Sequence, residues 1–435
     1  MTESGLSPEF LDAAQREAFA YFLHEGNPHN GLIADKSASG SHASIAAVGF
    51  GLSAYPVAVE RGFVSRSDAI AHTLATLRFF DASVQSAEAD ATGYKGFYYH
   101  FLDMASGRRA WDCELSTIDS AILLAGMLTA AAYFSRDSGE EREIRELADR
   151  LYRRTDWNWA RNGGATVTHG WKPKRGFLAY RWEGYCEALI LYLLGLGSPT
   201  YPLPVQSYAR WTETYEWRNL YGHEFVFAGP LFIHQFSHIW IDFRGIRDEY
   251  MRAKQSDYFE NSRRATFAQR QYAIANPSQF NGYGPNAWGI TASDGPGPAS
   301  RTINGVGRRI FGYRARGAPD GPDDGSLAPW VVAASLPFAP EIVGPALRHF
   351  ASLKLRENNP YGFDTTFNAT MTERSSPAEV WTSPLHFGIN QGPVVLMVEN
   401  HRTGLIWSLM RRCPYMIDGL RRAGFSGGWL APQSS

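Results

Sequence analysis

Three stretches of the sequence set carboxylates among apolar, aromatic or glycine-rich neighbours. In Trp182-Glu183-Gly184-Tyr185-Cys186-Glu187-Ala188-Leu189-Ile190-Leu191-Tyr192, Glu187 opens an apolar helical stretch that contains no basic residue. Burial there disfavours the charged form and raises the pKa, which suits a general acid at neutral pH. The bland alternative is a carboxylate neutralised by a helix N-terminus. In Trp111-Asp112-Cys113-Glu114-Leu115-Ser116-Thr117-Ile118-Asp119, three acids precede or begin an apolar helix. Ser116 with Asp119 three positions later reads as a capping box, yet acids beside an apolar helix are costly unless they bind something. In the third stretch, Tyr283, Trp288 and Asp294 lie in a glycine-rich loop ending Asp294-Gly295-Pro296, which is also compatible with an ordinary Asp-Gly turn. Paired carboxyl groups, one to protonate a leaving oxygen and one to activate water, are what glycoside hydrolysis requires.

The remaining polar clusters are less telling. His234 and His238 stand four apart, followed by Asp242 and Arg244. No third ligand accompanies the histidines, so no metal is expected there, and these residues read as sugar-binding or core groups. Asp323-Asp324-Gly325 and Glu341 are ambiguous, and the charged run 247–270 reads as a solvated outer helix. The chain has no phosphate-binding loop, no GxGxxG after a strand, no HExxH and no GxSxG. No cofactor is expected.

Composition narrows the partners. Lys+Arg total 42 against 43 Asp+Glu, a formal charge of −1, so no net positive field favours nucleic acid or an anionic membrane. Aromatic residues reach 14% (13 Trp, 21 Tyr, 26 Phe), a share that fits a groove where rings stack on pyranose faces, and the expected partner is an oligo- or polysaccharide. Tyr94, Trp182, Tyr283, Trp288 and Trp381 are the candidate platforms. The most apolar windows are too short or too interrupted to span a bilayer. The three cysteines, without a CxxC pair, fit a reducing compartment, and Met1-Thr2-Glu3-Ser4-Gly5 carries no basic leader, so a cytoplasmic location is expected.

Positioning these groups falls to about a dozen helices. Periodicity and caps predict helices over 8–24, 43–61, 65–80, 117–134, 140–152, 182–194, 205–216, 244–276, 328–334, 340–353, 391–400 and 403–412, with a short one after Pro414. Apolar, small-residue segments alternate with amphipathic ones, as an all-α (α/α)6 barrel requires of its inner and outer rings. Residues 94–109, 164–181 and 301–316 read as short β-hairpins on one rim. No linker divides the chain, so 1–435 is expected to form one domain.

Several motifs carry a resemblance. Ala43-Ser44-Ile45-Ala46-Ala47-Val48-Gly49-Phe50, Gly93-Tyr94-Lys95-Gly96-Phe97-Tyr98-Tyr99-His100-Phe101-Leu102-Asp103, Glu114-Leu115-Ser116-Thr117-Ile118-Asp119, Gly184-Tyr185-Cys186-Glu187, His238-Ile239-Trp240-Ile241-Asp242-Phe243-Arg244 and Phe338-Ala339-Pro340-Glu341 resemble the glucoamylase-like (glycoamylase) domain family. Its members include bacterial endo-β-1,2-glucanases of glycoside hydrolase family 144, and a related domain ends cyclic β-1,2-glucan synthases. The resemblance implies the (α/α)6 fold and an inverting hydrolase of β-1,2-linked glucose, with Glu187 as acid. Where the family usually reads Ile-Asp-Gln-Gly, this chain reads Ile389-Asn390-Gln391-Gly392. An amide cannot act as base, so either another carboxylate (Asp112, Glu114 or Asp294) activates the water or the specificity differs.

The expectation is therefore a metal-free glycoside hydrolase on a glucan or glucooligosaccharide, most plausibly β-1,2-linked. Glu187, Asp294, Glu114 and Asp119 are the catalytic candidates. Asp112, Tyr94, Trp182, Tyr185, His238, Asp242, Arg244, Tyr283, Trp288, Glu341, Trp381 and Asn390 are the substrate-binding ones. A transglycosylase on the same fold and a non-catalytic glycan-binding homologue are the alternatives. Oligomeric state is not legible in the sequence.

Overall fold

The computed structural model describes residues 4–303, 305–357, 359–372 and 380–431. The extreme N-terminal residues 1–3, on which part of the leader reading rests, lie outside them. The chain is mostly helical, and its helices are, in order, α1 (Pro8–His24), α2 (Ile45–Glu60), α3 (Arg66–Ala82), α4 (Thr117–Tyr133), α5 (Gly139–Arg153), α6 (Leu189–Gly197), α7 (Val205–Thr212), α8 (Glu249–Ala253), α9 (Tyr258–Ala275), α10 (Pro329–Ala334), α11 (Pro340–Ser352), α12 (Gly388–Arg402), α13 (Leu405–Met410) and α14 (Pro414–Arg422). Serine caps start several of them: Ser7, Ser65 and Ser116 accept the backbone N–H groups of Phe10, Asp68 and Asp119.

Two kinds of helix alternate. Every residue of α2 from Ile45 to Ala58, and of α4 from Thr117 to Ala130, is buried, as are all of α6 and α10. By contrast α5 buries one stripe, including Ile144, Leu147, Ala148 and Leu151, and leaves its charged face wet. The buried elements touch in a closed sequence. α2 packs on α4, α4 on α6, α6 on the 3₁₀ segment Phe236–Ile239, α10 on α12, and α12 back on α2. Gln235 closes the remaining step, donating to the Val331 carbonyl at 2.7 Å and to Ser335 Oγ at 2.8 Å. Glycine sets the tightest crossing: a Cβ on Gly49 or Gly126 would lie 2.5 or 2.1 Å from backbone of the facing helix. Bidentate Arg61–Glu399, with Gln15 Nε2 on the same carboxylate, ties α1, α2 and α12 together.

Three sequence-based helices are corrected. Residues 182–188 are not helical, because Gly184 adopts φ +70° and the helix begins only at Leu189. The 205–216 helix stops at Thr212. The 244–276 helix is two, α8 and α9, separated by Gln255 at φ +51° and each capped by its own aspartate, Asp248 and Asp257. Residues 231–239, not expected to be helical, form two 3₁₀ turns, Leu231–His234 packed against α9 and Phe236–Ile239 packed against α6 and α12.

Two small β regions place the polar groups. Strands β1 (Gly93–Tyr94), β2 (Phe97–Tyr99), β3 (Leu115–Ser116), β4 (Gly170–Lys172) and β5 (Gly176–Phe177) form one antiparallel sheet in that order, merging two of the expected hairpins. Because Tyr99 pairs with Leu115, His100 follows opposite Glu114, and β3 runs directly into α4. The second region pairs β6 (Ala292–Ser293) with β9 (Arg314–Ala315), and between them the hairpin β7 (Ala299–Ile303) and β8 (Val306–Ile310) projects. Among the described residues, no helix is long and apolar enough to cross a membrane.

Candidate active site

A cleft of about 720 Å³ is lined by side chains from both β regions, from the starts of α4 and α12 and from the turn before α6. That size lies within the range of small-ligand sites. Among the described residues, five carboxyl groups line it: Asp35, Glu114, Asp119, Glu187 and Asp294. Lys36, His100 and His169 share the lining, with Trp111, Trp182, Trp330, Tyr313, Phe387 and Asn390 among the rest.

Glu187 sits in the turn before α6. Ser237 Oγ, from the neighbouring 3₁₀ turn, accepts from Ile190 N–H at 3.0 Å and donates to the Glu187 carbonyl at 3.2 Å. Burial pushes the Glu187 carboxyl up to about 7; its own N–H works against the shift and the charge of Asp119 adds to it. This carboxyl therefore holds its proton near neutrality.

Asp119 serves as both cap and cleft residue. Its N–H donates to Ser116 Oγ at 3.2 Å, and Ser116 Oγ donates to its carboxylate. His100 Nδ1 lies 2.9 Å from Glu114 Oε1, and its Nε2 lies 3.5 Å from Asp119 Oδ2. That hydrogen bond holds Glu114 below the usual carboxylate range, against burial. Asp35 is pushed up by burial, with His100 opposing.

Asp294 comes from the other side of the fold. Ser383 Oγ donates to its Oδ2 at 2.8 Å. Behind it, Arg316 donates to the backbone carbonyls of Ser293 and Asp294 and pairs with Asp324 at 2.7 Å, both side chains fully buried. Asp324 also accepts from Phe311 N–H, so one ion pair pins the segment carrying Asp294 and Tyr313.

Of the other expected residues, Trp182 and Asn390 also line the cleft. Trp182 stacks on His169 with centroids 3.9 Å apart, and its indole N–H donates to Thr117 Oγ1. Asn390 is 1% exposed, and its Nδ2 has no hydrogen-bond partner among the described residues. Asp112 stands at the rim, exposed, paired with Arg109, Lys172 and Arg175.

The rest fall outside the cleft lining. Tyr185 is buried behind Glu187, stacked on Tyr258. His238 is fully buried, its Nε2 2.9 Å from Ser262 Oγ, and burial pushes it down to about 3. Asp242 is a buried acceptor for Arg244 and Arg411, and Arg244 lies over Trp407. Tyr283 donates to Asp323 at 2.6 Å, and Trp288 is fully buried. Tyr94 packs against Trp159 and Trp171, and Trp381 lies in a strand paired with Asn368. Glu341 forms a surface pair with Arg263. The structure thus places these residues in the framework around the cleft and not in its lining.

Sequence reasoning missed His100, Asp35, Lys36, Trp111, His169 and Tyr313 as cleft residues. His100 carried a signal, since it stands in a quoted motif one strand away from Glu114. Trp111 carried none beyond its neighbours. It is 66% exposed, in left-handed backbone at φ +52°, and edge-on to His42 and Phe101. Among the described residues no group of three His, Cys, Asp or Glu converges as a metal site.

Comparison with known proteins places the chain. The family model described as "Putative glucoamylase" matches residues 179–414. A Bacteroides uniformis structure under the same description is 32% identical, with a TM-score of 0.85 over 98% of this chain and 99% of that one. The Chitinophaga pinensis endo-β-1,2-glucanase, solved with sophorotriose and glucose, is 26% identical, with a TM-score of 0.84 over 98% and 100% of the two chains. An exo β-1,2-glucooligosaccharide sophorohydrolase of Parabacteroides distasonis is 27% identical over 95% of this chain, which spans only 57% of that relative's length. The chain belongs to the glycoamylase family.

Proposed function

We propose that this chain is a glycoside hydrolase acting on β-1,2-linked glucooligosaccharides, with Glu187 as general acid. The observation that carries the reading is a carboxyl group raised to about 7 in the same cleft as four others. In the step we propose, Glu187 gives its proton to the glycosidic oxygen as the C1–O bond breaks. A second carboxylate removes a proton from water as the water oxygen bonds to C1, leaving a sugar of inverted configuration and a freed hydroxyl.

For that base we favour Asp294. Glu114 and Asp119 are engaged by His100, whereas the Asp294 carboxylate has one side-chain hydrogen-bond partner, Ser383, among the described residues. Asn390, an amide, takes no part in proton transfer. Trp182 and Trp111 are, among the aromatic side chains of the cleft lining, the ones we favour as surfaces for pyranose rings. The closed sequence of buried helices and the alternating amphipathic ones support a single-domain (α/α)6 barrel as the scaffold.

The substrate class rests on the relatives, whose names specify β-1,2-glucan chemistry. A digestion panel containing linear β-1,2-glucan, sophorooligosaccharides and β-1,3-, β-1,4- and α-1,4-glucans tests it. Release of glucose, sophorose or longer oligosaccharides from the β-1,2 substrates alone supports the proposal. Turnover of another linkage in preference to these, or none of any, refutes it.

A further inference from the structure

We propose that His100 is a positioning residue of this cleft: a doubly protonated imidazolium that bridges Glu114 and Asp119 and offsets the negative charge that Glu187 faces. The inference rests on the acid–base reading of the cleft given above.

The geometry favours both ring protons. Glu114 Oε1 lies 2.9 Å from Nδ1, within hydrogen-bond distance, and Asp119 Oδ2 lies 3.5 Å from Nε2, an ion-pair contact. A neutral imidazole has one N–H, so its other nitrogen would turn a lone pair toward a carboxylate oxygen that can only accept; the imidazolium turns an N–H toward each carboxylate. The ring cannot swing away easily. Its face stacks on Phe101 with centroids 4.0 Å apart and planes 11° apart, and its N–H and carbonyl bond to Glu114 O and Ile45 N. The side chain is 30% exposed, on the cleft.

The surrounding charges are few. Glu114 precedes β3, Asp119 starts α4, and Asp35 with its neighbour Lys36 comes from the segment before α2. Burial disfavours the cation, but Asp119, Glu114 and Asp35 outweigh it and push His100 up to about 9. Glu187 itself faces Asp119, with the Cys186 thiol beside it in sequence. Without the imidazolium, the Asp119 charge acts on Glu187 uncompensated. The added negative field makes Glu187 hold its proton to higher pH.

The test is the pH dependence of kcat/KM on sophorooligosaccharides for wild type and His100→Gln, with thermal midpoints measured alongside. The alkaline limb, set by loss of the Glu187 proton, is expected to move up by about one unit, with a several-fold fall in kcat. An unmoved limb with a lowered midpoint means that His100 is only structural and overturns the proposal. A second measurement needs no active variant: the His100 resonance in ¹³C-histidine-labelled wild type, identified by its absence in His100→Gln or its displacement in Glu114→Gln. It should keep the imidazolium shift through pH 8, and titration below pH 7 overturns the proposal. If wild type cleaves no sophorooligosaccharide, the functional reading fails while the resonance still reports the charge on His100.

Discussion

Ser237 and Glu187 meet through the backbone: the serine hydroxyl donates to the glutamate carbonyl at 3.2 Å while accepting from Ile190 N–H at 3.0 Å. One side chain from a 3₁₀ turn thus caps α6 and fixes the residue whose carboxyl enters the cleft. Ser237→Ala removes both bonds. We expect a loss of stability of about 1–2 kcal/mol and a roughly tenfold fall in kcat with KM nearly unchanged, because misplacing the acid costs transition-state geometry. Thermal melts and steady-state kinetics on sophorooligosaccharides check this; unchanged kcat would separate the cap from the chemistry.

Glu187 also predicts a pH-dependent stability. Its carboxyl is raised from 4.5 to about 7 in the fold. The neutral form is favoured in the native state, so its contribution is fully present below the unfolded value and is lost as pH rises through the folded one. Glu187→Gln should therefore be more stable than wild type at pH 8, by on the order of 2 kcal/mol, with the difference shrinking toward pH 4. Denaturant unfolding at the two pH values measures it.

The Arg316–Asp324 pair, with both side chains fully buried, holds the Asp294 segment in place. Asp324→Asn leaves a buried cation without its carboxylate and should cost about 3–5 kcal/mol. The double variant Arg316→Met/Asp324→Leu should recover much of that stability, since it removes both charges. Calorimetric melts of the three proteins decide the point.

Much of this was legible in the sequence where local chemistry dominates. Serine caps and apolar runs marked α1, α2, α4 and α5 almost to the residue, and the isolation of Glu187 among apolar neighbours pointed to its raised pKa. What failed depended on distant partners. Tyr283 and Trp288 sit in a glycine-rich loop that suggested platforms, yet Asp323 takes the tyrosine hydroxyl and the core takes the indole. Asp242 is buried and taken by Arg244 and Arg411, and the guanidinium of Arg244 lies over Trp407. Asp324 read as ambiguous because its partner, Arg316, is revealed only when the loop folds back. The late start of α6, at Leu189, goes with a left-handed backbone at Gly184 that the apolar pattern of the stretch concealed.

Trp111 replaces the platforms that the core absorbed. At 66% exposure in the cleft lining, it is the side chain we propose as an outer sugar platform. Trp111→Ala is expected to raise KM about tenfold for oligosaccharides long enough to reach the rim, while leaving kcat and the shortest cleaved substrate little changed. A chain-length series of sophorooligosaccharides tests this, and an equal effect at every length would contradict it.

The central claim is that the Glu187 proton drives bond cleavage. Glu187→Gln keeps the shape and hydrogen-bonding size of the side chain but removes the transferable proton, a contribution of roughly a hundredfold to ten-thousandfold. The direct measurement is kcat on sophorooligosaccharides for wild type and Glu187→Gln, with substrate affinity and circular dichroism recorded on the same preparations. The account predicts an intact fold, retained binding and a fall in kcat of at least about a hundredfold. Activity within a few-fold of wild type would contradict it.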